Sequence, residues 1–564
     1  MGVFTNKADY SGHKRVAPRQ KTPNGMEIME LLHATDILAQ RLYEAGCRHA
    51  FGMPGGEVLT LIDSLERAGI AFHLARHENS AGFMAEGIHH IDGAPAILVA
   101  TVGPGAVNGV NVVANAEQDR VPMLVLTGCV DAPDAERYTH QVLDHRKVFE
   151  PITKATFTLS AEAAGVIAEK ALGIATEGRS GPVHIDVPIS VAATEATPYE
   201  FRRVPASSVV PAGADLQLAR AWLAEAERPV MLVGLDVLKD KACETVRAFS
   251  EVHNIPVITT YKAKGVIPES AALSLGGAGL SPLADKHLIP FIKQSDLIIC
   301  VGYDPIEMRP GWQDPWNPAT QRVIDITAAP NHHFMHQATL SFIADTGSTL
   351  VLLSEKNTPH PTWTNGQINE LKTALKSAFP NDDAWGPAAV IAECRDALPA
   401  NAIATVDSGA HRILLSQMWT CPEPRTLLQS SGLCTMGCAV PLAIGAHMAA
   451  PARRVVSFSG DAGLLMVAGE LSTASQQQRN TLFVVFVDKS LALIELKQRQ
   501  RQLPNTGVDF RDHDYAAIAR SFGGDGFTVT NREELRHALK SAENATNFVL
   551  IAAVIDKHSY DGRI

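Results

Sequence analysis

The sequence has few cysteines, eight among 564 residues, and no two of them are spaced as Cys-x-x-Cys. This scarcity argues against a disulfide framework and against a structural zinc site, and it is typical of proteins in a reducing compartment. The first 20 residues are polar and lack the apolar core of a secretory signal. We therefore expect a cytoplasmic protein.

Long apolar runs and an excess of positive charge are also missing. The longest purely apolar stretches, such as Leu482–Val487, are much shorter than the roughly 20 residues that a membrane span needs. The net charge is −11, from 60 acidic and 49 basic side chains, so no phosphate-neutralising surface is expected. These absences predict neither a membrane partner nor a nucleic-acid partner.

The sequence does contain many short runs rich in Val, Ile and Leu, each ending in Gly, Asp or Pro. Examples are AILVATVGPG, PMLVLTG, GPVHIDVP, RPVMLVGLD, DLIICVGYD, RRVVSFSGD and TLFVVFVD. Continuous apolar runs between amphipathic stretches are typical of parallel strands that helices cover on both faces. A chain of this length has room for three to four domains at about 150 residues each. We predict an α/β fold with three doubly wound parallel-sheet domains.

Polar segments rich in Pro, Ala, Ser and Asn separate three groups of strand-like runs. The predicted organisation is a flexible tail (1–25), an N-terminal domain (26–190), a linker (191–215), a central domain (216–355), a second linker (356–383) and a C-terminal domain (384–564).

A cation and phosphate site is predicted in the C-terminal domain. The run RRVVSFSG leads into Gly460, Asp461, Ala462 and Gly463. A helix-like stretch, Leu464–Gln478, then precedes a strand that ends at Asp488. A parallel crossover places both strand ends at one edge of the sheet, so Asp461 and Asp488 should converge. Two carboxylates suit Mg²⁺, and small residues let a helix N-terminus approach a diphosphate. The alternative is that both aspartates only cap or turn the chain after a strand.

This pattern resembles the fingerprint of thiamine-diphosphate enzymes, in which Gly-Asp-Gly is followed by a matching Asn or Asp. The segments FGMPGGEVLTLIDSL, ARHENSAGFMAEG, TVGPGAVNGVNVVANA, YTHQVLDHRKVFEPITKAT, GPVHIDVP, VDSGAHRILLSQMW and SSGLCTMGCAVPLAIGA resemble acetolactate synthases in the same order. VITTYKAKGVIPE and LIICVGYDPIEM are similar to the catabolic, flavin-independent type. The resemblance covers about residues 27–555.

The resemblance implies bound thiamine diphosphate and Mg²⁺, with a pyrimidine-binding N-terminal domain, a nucleotide-binding-like central domain and a diphosphate-binding C-terminal domain. FAD is not expected, because the central segments look catabolic. The metal ligands would be the side chains of Asp461 and Asp488 and the Ser490 carbonyl. Ala462 and Val487 depart from the family's fingerprint without removing a ligand oxygen. The cofactor-binding residues would be Ser408, Gly409, Ala410, His411, Met436, Gly460, Ala462 and Gly463.

Two of these assignments have purely structural alternatives. Met436 would hold the two cofactor rings in a V, but it is also an ordinary choice for a core residue. The segment Ser408–His411 would donate to the diphosphate, but it also suits a helix-capping turn. Cys434 and Cys438, on either side of Met436, are expected to be small buried hydrophobes.

The resemblance also assigns the catalytic residues. Glu78 would hydrogen-bond the cofactor's aminopyrimidine ring and promote removal of the C2 proton; the alternative is a surface glutamate at a helix start. Gly56 would lie close to the substrate carbonyl. His140 and Gln141 match a His-Gln pair of the catabolic synthases, and they could hydrogen-bond the substrate or the aminopyrimidine region.

Leu493 and Ile494 would bind the cofactor, as apolar residues that line its thiazolium ring and the acceptor pocket, and Lys497 would contact the acceptor substrate. Lys497 departs from the family, in which anabolic enzymes have Trp and catabolic ones Gln at this position. A lysine could bind an anionic acceptor. The alternative is a solvated lysine in the charged segment ELKQRQRQ.

The implied activity is decarboxylation of a 2-oxo acid, most simply pyruvate, with addition to a second pyruvate to give 2-acetolactate. Alternatives with the same first step are a simple decarboxylase, a carboligase with another, anionic acceptor, and a diketone hydrolase. A non-catalytic protein that binds the cofactor as a sensor or subunit is an alternative of another class. The family further implies a homodimer or homotetramer, with Glu78 from one subunit and Asp461 and Asp488 from its neighbour.

Overall fold

Three parallel β-sheets of six strands each form the framework of the chain in a computed structural model that describes residues 32–198 and 202–564. The predicted tail, residues 1–25, lies outside the described residues. Every strand pair within the three sheets is parallel, and helices connect the strands. The predicted α/β class with three parallel-sheet domains is confirmed.

The N-terminal sheet has the strand order β3-β2-β4-β5-β7-β6. A short antiparallel pair, β1 and β8, joins the two ends of this domain. Its elements are β1 (Leu32–His33), α1 (Ala34–Glu44), β2 (His49–Met53), α2 (Leu59–Ala68), β3 (Ala71–Leu74), α3 (Glu78–Asp92), β4 (Ala96–Ala100), α4 (Pro104–Asn108), α5 (Val110–Gln118), β5 (Met123–Cys129), α6 (Ala132–Ala135), α7 (His145–Phe149), β6 (Ala155–Thr158), α8 (Ala164–Thr176), β7 (Val183–Pro188), α9 (Ile189–Ala192) and β8 (Glu195–Ala196).

The central sheet has the order β11-β10-β9-β12-β13-β14. Its elements are α10 (Gly213–Glu225), β9 (Pro229–Val233), α11 (Asp236–Lys239), α12 (Cys243–His253), β10 (Val257–Thr260), β11 (Ser274–Ala278), α13 (Pro282–Gln294), β12 (Leu297–Val301), β13 (Arg322–Thr327), β14 (Leu340–Ile343), α14 (Thr346–Ser354) and α15 (Gln367–Ala378). The helix α15 lies within the segment predicted as a linker, residues 356–383, and Trp363 in the same segment is buried and stacks on Phe291.

The C-terminal sheet has the order β16-β15-β17-β18-β20-β19. Its elements are α16 (Pro387–Ala397), β15 (Ile403–Val406), α17 (Ala410–Met418), β16 (Leu427–Gln429), α18 (Ala439–Ala449), β17 (Val455–Gly460), α19 (Asp461–Val467), α20 (Glu470–Gln476), β18 (Leu482–Val487), α21 (Ala492–Gln500), α22 (Tyr515–Ser521), β19 (Asp525–Val529), α23 (Arg532–Ala542) and β20 (Val549–Val554).

Short 3₁₀ turns complete the secondary structure at Gly56–Val58, Glu150–Ile152, Ala161–Ala163, Tyr261–Ala263, Pro305–Glu307, Pro310–Trp312 and Lys557–Tyr560. Among the helices within residues 32–198 and 202–564, none is both long and apolar enough to cross a bilayer.

One hydrophobic core is shared by the N-terminal and C-terminal domains, and it lies where α3 crosses α18. Glycines at the crossing allow a very close approach. A Cβ atom on Gly445 would lie 2.0 Å from the Met84 carbonyl oxygen, and one on Gly87 would lie 2.5 Å from the Leu442 carbonyl oxygen. Because the backbones touch here, the crossing fixes α3, whose first residue is Glu78, against the C-terminal domain.

Candidate active site

Asp461 and Asp488 lie at the ends of two neighbouring strands, β17 and β18. The Asp461 carboxylate accepts hydrogen bonds from the backbone N–H groups of Asp488 (3.1 Å) and Lys489 (2.8 Å). Asp461 is 2% exposed, and Asp488 is half-buried. The structure therefore brings together the two carboxylates that the sequence pattern pairs.

The electrostatics of this pair favour a cation. Burial raises the pKa of the Asp461 carboxyl, and burial together with the adjacent Asp461 charge raises the pKa of Asp488 to about 8. Two carboxylates in one poorly solvated place repel each other unless a positive charge or a proton lies between them. Within the described residues no cluster of three or more His, Cys, Asp and Glu side chains could hold a metal, so a cation here would need other oxygen ligands as well.

Ser490 and the glycine-rich turn lie beside the two carboxylates. The Ser490 N–H donates to the Asp488 carboxylate (3.0 Å), and Ser490 forms an isolated antiparallel bridge with Asp509. The Ala462 N–H donates to the Asp461 carboxylate (2.8 Å) at the start of α19. A Cβ atom on Gly463 would lie 2.0 Å from a carboxylate oxygen of Asp407, so only glycine fits there.

The segment Ser408–His411 follows the adjacent strand β15 and leads into α17, which begins at Ala410. The His411 ring is buried, stacks on Phe486, and lies 3.3 Å from the Cβ position of Gly460. Burial lowers the pKa of His411 to about 3, so the ring is neutral. Its Nε2 atom has no hydrogen-bond partner among the described residues. An unsatisfied buried nitrogen beside Gly460 suits a polar ligand in this crevice.

Met436 lies in the segment between β16 and α18 and is half-buried. The Asp407 carboxylate accepts hydrogen bonds from the N–H groups of Gly437 (2.9 Å) and Cys438 (3.0 Å). Cys438 is buried as predicted. The prediction for Cys434 is wrong, because this cysteine is exposed in a left-handed turn, with φ +53°.

Glu78 is the first residue of α3 and is only 3% exposed, so it is not the surface glutamate of the alternative reading. The Asn108 side-chain amide donates to its Oε2 atom (3.0 Å). A Cβ atom on Gly105 would lie 3.1 Å from its Oε1 atom. Two residues of α4 therefore lie against the two oxygens of the Glu78 carboxyl, within the N-terminal domain.

Gly56, His140 and Gln141 lie on exposed turns of the N-terminal domain. Gly56 begins the 3₁₀ turn that follows β2, and nothing lies within 4 Å of its Cβ position. Gln141 has a φ of +58°, and its Cβ lies 3.2 Å from the Cβ position of Gly103, in the turn after β4. His140 contacts Tyr138 edge to face. Gly56 and Gln141 are thus at the same edge of the sheet as Glu78.

The helix α21 follows Ser490 and carries the three predicted acceptor-pocket residues. Leu493 is half-buried, Ile494 is 44% exposed and Lys497 is exposed. Residues three apart lie on one helix face, so Ile494 and Lys497 are neighbours on the exposed side of α21. The buried side holds Glu495, which pairs with Arg499 at 2.9 Å.

Two residues of this region were missed in the sequence. Asp407 supports both Gly463 and the segment after Met436, and Asn108 fixes Glu78. Asp407 had a usable signal, since it ends an apolar strand as Asp461 and Asp488 do. Asn108 had none, because nothing in PGAVNG distinguishes it from a helix-end residue.

The predicted residues thus fall into two groups. Glu78, Gly56 and Gln141 lie at the carboxyl edge of the N-terminal sheet. Asp461, Asp488, Ser490 and the segment Ser408–His411 lie at the carboxyl edge of the C-terminal sheet, which is where open parallel sheets bind ligands.

The sequence matches three domains of thiamine pyrophosphate enzymes, in order. These are the N-terminal TPP binding domain over residues 32–148, the central domain over 216–353 and the C-terminal TPP binding domain over 407–553. Thiamine pyrophosphate (TPP) is another name for thiamine diphosphate. The matched ranges contain the whole central sheet, strands β2 to β5 of the N-terminal sheet, and strands β16 to β20 of the C-terminal sheet except the last residue of β20.

Similar proteins are acetolactate synthases. The chain is 30% identical to the acetolactate synthase of Bacillus subtilis, over 92% of this chain and 93% of the relative. It is 28% identical to the catabolic acetolactate synthase of Raoultella terrigena, over 93% and 95%. It is 30% identical to the large subunit of acetolactate synthase isozyme 1 of Escherichia coli, over 92% and 93%. The chain therefore belongs to the acetolactate synthase-like family of thiamine-diphosphate-dependent enzymes.

Proposed function

We propose that this enzyme decarboxylates pyruvate and joins the remaining two-carbon unit to a second pyruvate, giving 2-acetolactate. The observation that carries the proposal is the convergence of Asp461 and Asp488 beside a glycine-rich helix start. The names of the similar proteins supply the product, acetolactate.

The residues at the C-terminal sheet edge fit thiamine diphosphate with Mg²⁺. Asp461, Asp488 and the Ser490 carbonyl would hold the metal, and the pKa of Asp488, raised to about 8, is consistent with a cation beside it. The unsatisfied Nε2 atom of His411 and the backbone around Gly460 would contact the diphosphate. Thiamine diphosphate supplies the acidic carbon at which 2-oxo acids lose CO₂.

Glu78 would exchange a proton with the aminopyrimidine ring of the cofactor. Its carboxyl is buried, so little water reaches it, and the hydrogen bond from Asn108 fixes its orientation. A fixed acid of this kind contributes acid–base catalysis at a defined atom. Gly56, His140 and Gln141, on the exposed turns at the same sheet edge, would contact the substrate.

The active site would be completed by a second copy of the chain. Glu78 bonds within the N-terminal domain, whereas Asp461 and Asp488 bond within the C-terminal domain. Large apolar side chains next to both groups are exposed in the single chain, namely Leu59, Val107, Leu465, Met466 and Ile494. A homodimer or homotetramer would cover them and pair Glu78 of one subunit with the metal site of its neighbour.

We also propose that the enzyme acts in the cytoplasm and that its central domain works without FAD. All eight cysteines are free thiols, which suits a reducing compartment. The similarity to a catabolic synthase supports the second point. The visible absorbance spectrum of the purified protein tests it, since bound flavin would colour the protein yellow.

The experiment that tests the main proposal is a product analysis. Purified protein is incubated with thiamine diphosphate, Mg²⁺ and pyruvate alone, and the products are identified by mass. We expect 2-acetolactate and CO₂, and we expect exhaustive dialysis against EDTA to remove cofactor and activity together. Acetaldehyde without acetolactate would instead identify a simple decarboxylase, and no turnover of any 2-oxo acid or cyclic diketone would favour a non-catalytic cofactor-binding protein.

A carboligase with a different anionic acceptor is a second candidate, and Lys497 is the observation that favours it. Its ammonium group is on the exposed face of α21 beside Ile494, where it could pair with an acceptor carboxylate, phosphonate or sulfonate. The test compares acceptors with wild type and Lys497→Gln. A raised KM for the anionic acceptor alone would support the role, and equal kinetics would leave Lys497 a solvated residue.

A further inference from the structure

The segment Ser430–Gly437, which we call the Met436 loop, forms hydrogen bonds with residues of its own domain and of the N-terminal domain. At its carboxyl end, Gly437 donates to Asp407 of the C-terminal domain. At its amino end, the N–H groups of Ser431 (3.1 Å) and Gly432 (2.9 Å) donate to the carboxylate of Asp119, at the end of α5 in the N-terminal domain.

Two more residues of α5 contact the same loop. The Ser430 hydroxyl donates to the Asn115 side chain (2.5 Å) and accepts from the Thr435 N–H (3.0 Å). The Thr435 hydroxyl donates to the Asn111 side chain (3.1 Å). Residues on both sides of Cys434, including the one directly before Met436, are thus bound to one helix of another domain.

The loop also lies directly against the end of α5. A Cβ atom on Gly432 would be 2.5 Å from the Cβ of Gln118. Real Cβ atoms do not approach that closely, so any residue other than glycine would push the loop and α5 apart.

The central domain contacts the same carboxylate through Lys262, which lies in the 3₁₀ turn Tyr261–Ala263 after β10. Its ammonium nitrogen lies 2.7 Å from the Asp119 carboxylate and 3.9 Å from the carboxylate of Glu86. Asp119 and Lys262 are both buried. A buried carboxylate is costly unless it is paired and hydrogen-bonded, and Asp119 has both kinds of partner. One carboxylate therefore joins all three domains at the loop.

We propose that Asp119 and Lys262 are positioning residues of the cofactor site, which fix the Met436 loop from the N-terminal and central domains. Met436 is a wedge between the cofactor rings under the proposed function, and the inference rests on that role. Loss of the anchor leaves the metal ligands in place but frees the wedge, so it weakens cofactor binding and lowers kcat.

Three variants separate the effect of the Asp119 acceptor oxygen from that of the Asp119–Lys262 ion pair, and a fourth is the control. Asp119→Ala with Lys262→Met removes both, and Asp119→Asn with Lys262→Met restores a neutral acceptor without leaving a buried charge unpaired. Lys262→Met alone tests the central domain's contribution. Glu117→Gln, an exposed carboxylate on the same helix, is the matched control.

The first measurement is hydrogen exchange of the peptide that contains Ser431 and Gly432, followed by mass spectrometry on protein without cofactor. The Ala/Met variant should exchange these amides about tenfold faster or more, which corresponds to the loss of about 1.4 kcal/mol of protection. The Asn/Met variant should exchange at a rate between those of the Ala/Met variant and wild type, because it keeps the acceptor but lacks the Lys262 contact. Lys262→Met should be faster than wild type, and Glu117→Gln should match wild type. The β18 peptide should not change in any of them.

The second measurement is calorimetric affinity for thiamine diphosphate with Mg²⁺, together with kcat. We expect affinity about tenfold weaker for the Ala/Met variant and partial recovery in the Asn/Met variant, which restores the acceptor but not the Lys262 contact. Gly432→Ala keeps both charges and should produce the same loosening and weaker affinity, so it replaces the Ala/Met variant if that protein does not fold.

Wild-type exchange and affinity in the Ala/Met variant, or in Gly432→Ala if that variant does not fold, would overturn the inference. If Lys262→Met changes neither the amide exchange nor the cofactor affinity, the central domain has no part in fixing the loop. A wild-type protein that binds no thiamine diphosphate would refute the proposed function, and loop exchange would still report whether Asp119 anchors the loop.

Discussion

Glu78 has two properties that an acid–base residue at a cofactor needs, namely exclusion from water and a fixed orientation. The Asn108 amide holds one carboxyl oxygen, and the backbone at Gly105 bounds the other. Glutamine has the same shape and can keep the bond to Asn108, but it cannot give up a proton. Glu78→Gln should therefore preserve the fold and remove only the acid–base contribution.

We expect Glu78→Gln to lower kcat by about 10²- to 10⁴-fold, the usual contribution of a positioned acid or base. The melting temperature should stay within a degree or two of wild type, by the usual size of near-isosteric changes. Steady-state kinetics and thermal unfolding of the same preparation measure both quantities. Unchanged kcat would contradict the role that we give to Glu78.

Asp325, in β13 of the central domain, should make stability depend on pH. Burial, with Asp236 and Asp304 nearby, raises its pKa to about 7. In the unfolded chain the same group loses its proton near pH 4. Between these values the folded state holds the additional proton, so stability falls as the pH rises from about 4 to about 7 and stays lower above that.

Asp325→Asn removes the cost of a buried, ionised carboxylate and should raise the melting temperature at pH 8 by several degrees. At pH 4 to 5, where wild-type Asp325 is protonated in the folded chain, the difference should shrink towards zero. Asp525→Asn, an exposed aspartate in β19, is the control and should show no such trend. Melting curves at both pH values provide the comparison, and an equal difference at both would refute the assignment.

At the scale of elements, the crossing of α3 and α18 connects the Glu78 helix to the C-terminal domain. A methyl group on Gly445 has no room, because it would lie 2.0 Å from the Met84 carbonyl oxygen. Gly445→Ala should destabilise the protein by about 1–3 kcal/mol, as overpacking does, although alanine favours a helix more than glycine. Because α3 must shift, kcat should fall as well.

The control for Gly445→Ala is Gly173→Ala in α8. There the new methyl group would meet the long side chain of Arg203, which can move aside. Denaturant unfolding and kcat of both variants test the difference. Equal stability of the two would mean that the crossing tolerates a wider separation of the helices.

The sequence predicted the strands well, and it predicted the helices and turns between them less well. Buried parallel strands read as continuous apolar runs, and RRVVSFSG and TLFVVFV are β17 and β18. The stretch Leu464–Gln478 was expected to be helix-like, but two helices, α19 and α20, divide it at Ala468 and Gly469. No periodicity marks that break, and the side chain that packs there, Arg76, 3.6 Å from the Cβ position of Gly469, comes from another domain.

The candidate site was predictable only where local pattern determines it. Strand ends place Asp461 beside Asp488 by topology, and a family resemblance points to Glu78. The exposure of Cys434 and the support of Glu78 by Asn108 arise from contacts between distant segments. Periodicity and spacing contain no signal for such contacts.

At the scale of the whole molecule, the single chain has exposed apolar side chains near both groups of predicted site residues. Leu59 and Val107 are exposed beside the Glu78 group, and Met466 and Ile494 are exposed near the paired carboxylates. Exposed apolar side chains near polar site residues are expected at an interface between subunits. A two-fold axis would bury both sets at once and create two equivalent active sites.

Subunit complementation tests this arrangement directly. Glu78→Gln and Asp461→Asn are each inactive as homodimers under the proposal. In a mixed dimer, one site has both substitutions and the other has neither, so random mixing should recover about a quarter of wild-type activity. If each subunit instead used its own Glu78 and Asp461, every site in the mixture would have one substitution, and no activity would return. Under the proposal, the mixed dimer isolated after co-expression of the two variants with different tags should have about half of wild-type activity, with a single cofactor bound tightly per dimer.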